Sequence, residues 1–294
     1  MRWASSAAAR VSSARWPITS CSPWRRVRNA GVAKPLATAV PSSHPDPWQV
    51  LTRFTAARIG LGRAGGSQPT QPSLAFQLAH AQARDAVQRN LDVDALAEQL
   101  SAAGIDSLRL HSAAPDRRTF IARPDLGRIL NDESKRSLET RGPPASAYDC
   151  ALVVADGLSA LAIEHHAVAL LQELARRLAA EGWCASPVCL VSQGRVAIGD
   201  EIGTLLPARM TAMLIGERPG LSSPDSLGIY FTYDPMPGRS NAERNCISNV
   251  RPPEGLSYAL AAHRLYHLMV EARRRKLSGV ALKEAAPALP GETE

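Results

Sequence analysis

The second half of the chain repeats one pattern: a short unbroken apolar run, a polar turn, then a longer stretch with helical spacing. Cys150–Ala155 is such a run, ended by Asp156-Gly157-Leu158-Ser159 and followed by a helical stretch from Ala162 to Ala180 that closes at Glu181-Gly182. Val188–Val191 is the next strand, Asp200–Leu206 a short helix, and Ala212–Ile215 a third strand ended by Gly216-Glu217-Arg218-Pro219-Gly220. Gly228–Tyr233 forms a fourth strand. Tyr258–Arg274 is a last long helix whose basic C-terminal end suits the helix dipole. Continuous apolar runs without polar alternation mark strands buried on both faces, and strand–helix alternation argues for a parallel sheet covered by helices.

The first half reads differently. Trp48–Ile59 is expected to be helical, then Gly60 to Gly66 make a glycine-rich turn. Ser73–Asn90 carries Leu74, Leu78, Ala81 and Val87 near helical spacing, and Ala95–Ala103 is a further helix ending at Gly104. Leu108–His111 and Thr119–Ala122 look like strands, and Arg123–Arg128 opens a polar helix that fades at Gly142-Pro143-Pro144. The expected architecture is α/β: a Rossmann-like, mostly parallel sheet flanked by helices, preceded by a mainly helical N-terminal region. The expected divisions are a disordered basic extension over 1–45, the helical region over 46–145, the Rossmann-like domain over 146–283 and a tail over 284–294.

Charge alters this picture only at one end. The net charge of +7 suggests a nucleic-acid partner, but residues 1–45 hold seven basic residues and no acid. The other 27 basic residues are matched by 27 acidic ones, so the body is formally neutral. With aromatics at 5%, no phosphate-tracking face with stacking platforms is expected. The N-terminal stretch lacks the composition of a core. It reads as an upstream extension or flexible tail, the alternative being an organellar address. No run reaches the ~20 apolar residues that a membrane helix needs. The five cysteines (Cys21, Cys150, Cys184, Cys189, Cys246) are scattered, with no Cys-x-x-Cys pair, which argues against a structural zinc site and for a reducing compartment.

Several strings imitate catalytic motifs. Gly60-x-Gly62-x-x-Gly65 matches the dinucleotide fingerprint, yet the fingerprint works only between a strand and a helix, and here a helix precedes it. His263 and His267 are four apart, but Arg264 stands where a zinc protease needs glutamate. His165 and His166 are adjacent, so they leave a helix about 100° apart and are read as unable to face one metal together. Ser159 lacks the second glycine of a nucleophile elbow. No catalytic residue and no metal ligand is assigned. What remains are the loops at the carboxyl ends of the strands, where open α/β sheets bind ligands: 156–159, 192–196 and 217–220. Glu217, when ionised, only accepts hydrogen bonds and would suit a ligand rich in amide N–H donors; ordinary turn chemistry explains the same residues equally well.

From Pro47 to Leu282 the chain also resembles the ethanolamine ammonia-lyase small subunit (light chain). The resemblance rests on Thr55–Ile59 with Gly62–Gly65, Arg123–Arg128, Asp156–Ser159, Gly194–Val196, Ile202-Gly203, Gly216–Leu221 and Cys246–Asn249. It implies a Rossmann-like subunit contacting adenosylcobalamin beside a larger, barrel-shaped subunit that holds the substrate, with residues 46–145 against that partner. It implies radical deamination of ethanolamine to acetaldehyde and ammonia, in a hetero-oligomer built as a trimer of dimers of large–small pairs. By motif match, the cobalamin-contacting positions fall on Val196, Glu217 and Cys246. None of the seven histidines has an aspartate two residues before it, which agrees with a cofactor keeping its own lower base. Some family members are addressed to a bacterial microcompartment by their N-terminus. The Arg-rich segment here departs from such a helix, leaving cytoplasm or microcompartment as the expected location. Two other classes stay open: a stand-alone nicotinamide-dependent oxidoreductase, and a structural adaptor without cofactor contact.

Overall fold

A computed structural model describes residues 43–44, 46–141 and 147–283. The expected extension and tail, and the Gly142-Pro143-Pro144 break, lie outside the described residues, apart from Ser43 and His44. In chain order the strands are β1 (Ser43–His44), β2 (Arg63–Ala64), β3 (Ser107–His111), β4 (Ala151–Ala155), β5 (Val188–Ser192), β6 (Met210–Gly216), β7 (Leu227–Tyr233) and β8 (Asn245–Val250). The helices are α1 (Thr70–Gln88), α2 (Val93–Ala102), α3 (Arg117–Ala122), α4 (Asp132–Thr140), α5 (Ala160–Ala180), α6 (Ile198–Leu205) and α7 (Tyr258–Arg275).

β1 and β2 form a two-residue antiparallel pair, and the other six strands make one sheet in the order β3-β5-β4-β6-β7-β8. β3, β5, β4 and β6 run parallel, while β7 and β8 are antiparallel additions. The architecture is therefore α/β with a mostly parallel, mixed sheet. β3 comes from the stretch expected to be a separate helical region, so the sheet spans both parts of the chain.

Every residue of β4 and β6 is buried, as their unbroken apolar runs demand. Alternate side chains feed two cores. On one face Leu152, Val154, Leu190, Ala212 and Leu214 pack under α2, α5 and α7; on the other Val153, Ala155, Val191, Met213 and Ile215 pack under α4 and α6. The two layers differ in reach. α5 and α7 extend across to β7 and β8, whereas α6 lies on β4 and β6. On the α6 side of β7 and β8, Cys246 and Ser248 stand exposed.

Three expectations are corrected. Thr119–Ala122 is helical, not extended: Asp116 accepts from the Thr119 amide at 2.7 Å and starts α3, overriding the β-favouring run Thr119-Phe120-Ile121. Trp48–Ile59 shortens to a 3₁₀ turn over Pro47–Arg53, with no residue of it buried. The polar helix at Arg123 is two pieces, a 3₁₀ turn at Leu126–Arg128 and then α4, which starts afresh where Asn131 accepts from the Ser134 amide at 2.8 Å.

Candidate functional site

β4 leads through α5 to β5 on one side of it, and β5 leads through α6 to β6 on the other. The connections part at the carboxyl end of β4, and such a switch point leaves a crevice between the outgoing loops. The loops after β4, β5 and β6 line that crevice as expected.

Their backbones approach unusually closely. Gly157 adopts φ +53°, and a methyl on Gly216 would fall 2.0 Å from the Ser159 carbonyl oxygen and 2.5 Å from that of Asp156. The Leu158 amide donates to the Gly216 carbonyl at 2.9 Å, closing the contact. Behind the loops, buried Asp156 accepts from the Gly194 amide at 3.0 Å and from Arg117 Nη1 at 3.1 Å. Arg117 also donates to Gln193 Oε1 at 3.3 Å and, through Nε, to the Val87 carbonyl at 2.7 Å. Burial still raises the Asp156 pKa, against the lowering pull of Arg117, and burial likewise lowers Arg117. The pair holds the β5 loop through the hydrogen bonds to Gly194 and Gln193.

Arg195, next in that loop, lies over the Phe120 ring at 4.3 Å, and its amide donates to Gly127 at 2.7 Å. This anchors the Arg123–Arg128 segment to the β5 loop. Val196 then faces two cavities. One, of about 440 Å³, is lined by Gly157, Leu158, Arg195, Val196, Glu217 and Tyr230 among others. The second, of about 590 Å³, shares Arg195 and Val196 and is walled by Arg128, Arg239 and Arg244.

The Glu217 carboxylate accepts from the Ser226 and Ser248 hydroxyls and from the Asn249 amide at 3.3 Å. This ties the loop after β6 to the start of β7 and the end of β8. Cys246 pairs in register with Tyr230 on β7. Desolvation raises the Cys246 thiol pKa, Glu217 adds to the rise and Tyr230 opposes it. Tyr230 itself is pushed up to about 12, first by burial and then by Cys246. Both groups are therefore neutral at ordinary pH. Cys246 offers a polarisable contact surface, since the nucleophile or metal ligand would be the thiolate.

Of the three residues expected at the site, Val196 and Glu217 line one cavity and Cys246 adjoins it through Tyr230. Tyr230, Ser226 and Ser248 were not singled out from sequence, although Ser248 lies inside the Cys246–Asn249 tetrad. Alternation along β7 places Tyr230 on the face opposite buried Ile229 and Phe231, a signal that was available. The glycine cluster at 60–65 sits around β2, far in sequence from the parallel strands, with a 3₁₀ turn before it and α1 not starting until Thr70. It lacks the strand-to-helix setting of a dinucleotide site.

The wall of the larger cavity carries a pH-dependent cap. Arg239 donates to Glu243 at 2.6 Å, and the Ser240 amide and hydroxyl donate to it at 2.7 and 2.9 Å. Arg239 first, then Ser240, hold the Glu243 carboxyl down at about 2, below its ordinary 4.5. A depressed carboxylate supports the fold fully above its ordinary value and loses that support as pH falls toward the depressed one. NMR titration of Glu243 should give a midpoint near 2, moving toward 4.5 in Arg239→Ala.

A family model described as ethanolamine ammonia-lyase light chain matches residues 45–283. The small subunit of that enzyme from Azotobacter vinelandii is 60% identical over 242 residues, covering 82% of this chain and 89% of that one. The Pseudomonas fluorescens Pf-5 protein of the same name is 58% identical over 247 residues, covering 84% and 90%. The one from Ralstonia nicotianae is 60% identical over 245 residues, covering 82% and 89%.

Proposed function

The chain belongs to the ethanolamine ammonia-lyase light-chain family and is a subunit of an ammonia-lyase, with a large subunit as its partner; from that premise we propose that it forms one wall of an adenosylcobalamin site. The observation that carries this reading is the convergence of Val196, Glu217 and Cys246, distant in sequence, on one open face of the sheet.

The donor set suits the cofactor. A corrin is a broad, flat ring fringed with amides, and it needs an open face rather than an enclosed pocket. Glu217 would accept from a side-chain amide, with Ser226, Ser248 and the Asn249 amide keeping its oxygens aimed. Val196 and Tyr230 would give apolar contact at the ring, and Cys246 a soft neutral one. Arg128 and Arg195 would favour an anionic group of the ligand in the larger cavity. When bound, the cofactor supplies the radical that abstracts hydrogen from ethanolamine, ahead of release of acetaldehyde and ammonia. This chain's residues bind and orient it and, with the large subunit, exclude water.

Exposed Trp48 and Phe54, on and just after the Pro47–Arg53 turn, and Leu74, Phe76 and Leu78 on α1 make the 46–145 stretch the proposed contact with the large subunit. Among the described residues no helix is long and apolar enough to cross a membrane. The proposed location is the cytoplasm, with encapsulation in a microcompartment the alternative, and the proposed assembly is a trimer of dimers of large–small pairs.

Co-expression with the large subunit should give acetaldehyde from ethanolamine only when both chains and adenosylcobalamin are present. In that complex Glu217→Ala should weaken cofactor binding about 10- to 100-fold, the loss of a charge-assisted hydrogen bond of about 1.5–3 kcal/mol. Unchanged affinity would overturn the contact and favour a structural adaptor; turnover by this chain alone would overturn the subunit reading.

A further inference from the structure

On the α5 layer of the fold, His165 and His166 reach the loop between β6 and β7 at Asp225, the residue before Ser226. The adjacency argument against a shared metal fails there. His165 presents the near ring nitrogen Nδ1 and His166 the far one Nε2, so two side chains leaving the helix in different directions reach one point. His165 Nδ1 is 3.5 Å and His166 Nε2 3.6 Å from the same oxygen of Asp225, and the three ligand atoms lie within 4.8 Å of one another.

We propose that His165, His166 and Asp225 form a binding site for one divalent transition-metal ion of the zinc type, with an open position toward solvent. The two histidine–carboxylate separations suit it, since ligands about 2.0–2.2 Å from a tetrahedral ion stand about 3.4 Å apart, and a small rotation of the exposed His165 ring sets the third. The buried histidine supplies an independent observation. His166 is 5% exposed, and its Nε2 has no hydrogen-bond partner. Its Nδ1 lies 2.8 Å from the Tyr258 hydroxyl. If Nδ1 donates to Tyr258, the Nε2 lone pair faces a carboxylate lone pair with no proton between them. If Nδ1 accepts instead, or if both nitrogens are protonated, the Nε2 proton points at an oxygen 3.6 Å away, longer than an ordinary hydrogen bond. A cation beside Nε2 resolves the first arrangement, and the Nδ1–Tyr258 bond then fixes the tautomer and orients the metal-bound imidazole. Burial lowers the His166 pKa, more than the Asp225 charge raises it, and so favours the neutral ring a metal requires. Arg251 also faces Asp225; its Nε stands 3.8 Å from the other carboxylate oxygen, while Glu254 engages its Nη1 at 3.3 Å. A mixed imidazole–carboxylate set selects a borderline ion over magnesium or calcium. Bound there, the ion ties the β6–β7 loop to α5.

The test titrates the full chain, stripped with a chelator, with zinc chloride against a chromophoric competitor. The expected result is one zinc per chain, with affinity falling at least about 100-fold in His165→Ala and in Asp225→Asn and about tenfold in Tyr258→Phe. The His263→Ala/His267→Ala double variant should bind as the wild type does. His165 is exposed, so its variant folds, and circular dichroism of each variant confirms it. Absence of zinc uptake by the wild type, or undiminished uptake by His165→Ala and Asp225→Asn, would overturn the site.

Discussion

Arg244→Ala should lower the unfolding free energy by about 3–5 kcal/mol, the loss seen when one partner of a buried ion pair is removed. Arg244 and Asp200 have side chains 3% and 2% exposed and meet through two parallel hydrogen bonds of 2.6 Å. Arg244 also donates to the Thr232 hydroxyl at 3.0 Å and the Arg239 carbonyl at 2.9 Å. One guanidinium thus joins the first turn of α6, β7 and the loop that walls the larger cavity. Without it, the Asp200 carboxylate stays buried and uncompensated. Urea unfolding checks the magnitude, and the cause is separable. Asp200→Leu combined with Arg244→Met should recover much of the loss, because an apolar pair strands no charge. A double variant as unstable as Arg244→Ala would mean that packing of the loop, not the stranded charge, sets the cost.

Gly216→Ala should have the second-largest effect. The added methyl meets two backbone carbonyl oxygens, at 2.0 and 2.5 Å, neither of which can swing aside as a side-chain tip would. The cost belongs at the upper end of the about 1–3 kcal/mol typical of overpacking. The loops after β4 and β6 must separate to relieve it, so on the proposed reading cobalamin affinity of the complex should fall by about tenfold or more, about 1.4 kcal/mol. Gly66→Ala is the control, since a methyl there meets nothing within 4 Å. It should stay within about 0.5 kcal/mol of the wild type. Equal effects at both glycines would refute the close-approach argument.

The parallel part of the sheet was legible because β4, β5 and β6 are buried on both faces. Their apolar runs need no partner to be recognised. β8 was not legible: of Asn245-Cys246-Ile247-Ser248-Asn249-Val250 only Ile247 and Val250 are buried, as expected of an edge strand with one open face. The same openness hid Cys246, which only the family resemblance reads as a contact. α3 was misread because β-propensity over Thr119-Phe120-Ile121 was weighed ahead of a local N-cap signal, Asp116 three residues before Thr119. The His165–His166–Asp225 convergence was invisible for a different reason. Helical angles describe where Cβ atoms point, not where the two nitrogens of an imidazole can reach.

The reversal of direction after β6 carries a consequence for timing. Because β7 starts and β8 ends at the level where the parallel strands finish, the bare patch beside α6 forms a shelf continuous with the crevice. On the proposed reading, a flat ring laid on that shelf is roofed by another chain, as a page is held between two covers. Loading and release would then be gated by the partner's lifting rather than by any motion within this chain. Exchange of spent for fresh cofactor would become a property of the assembly's opening.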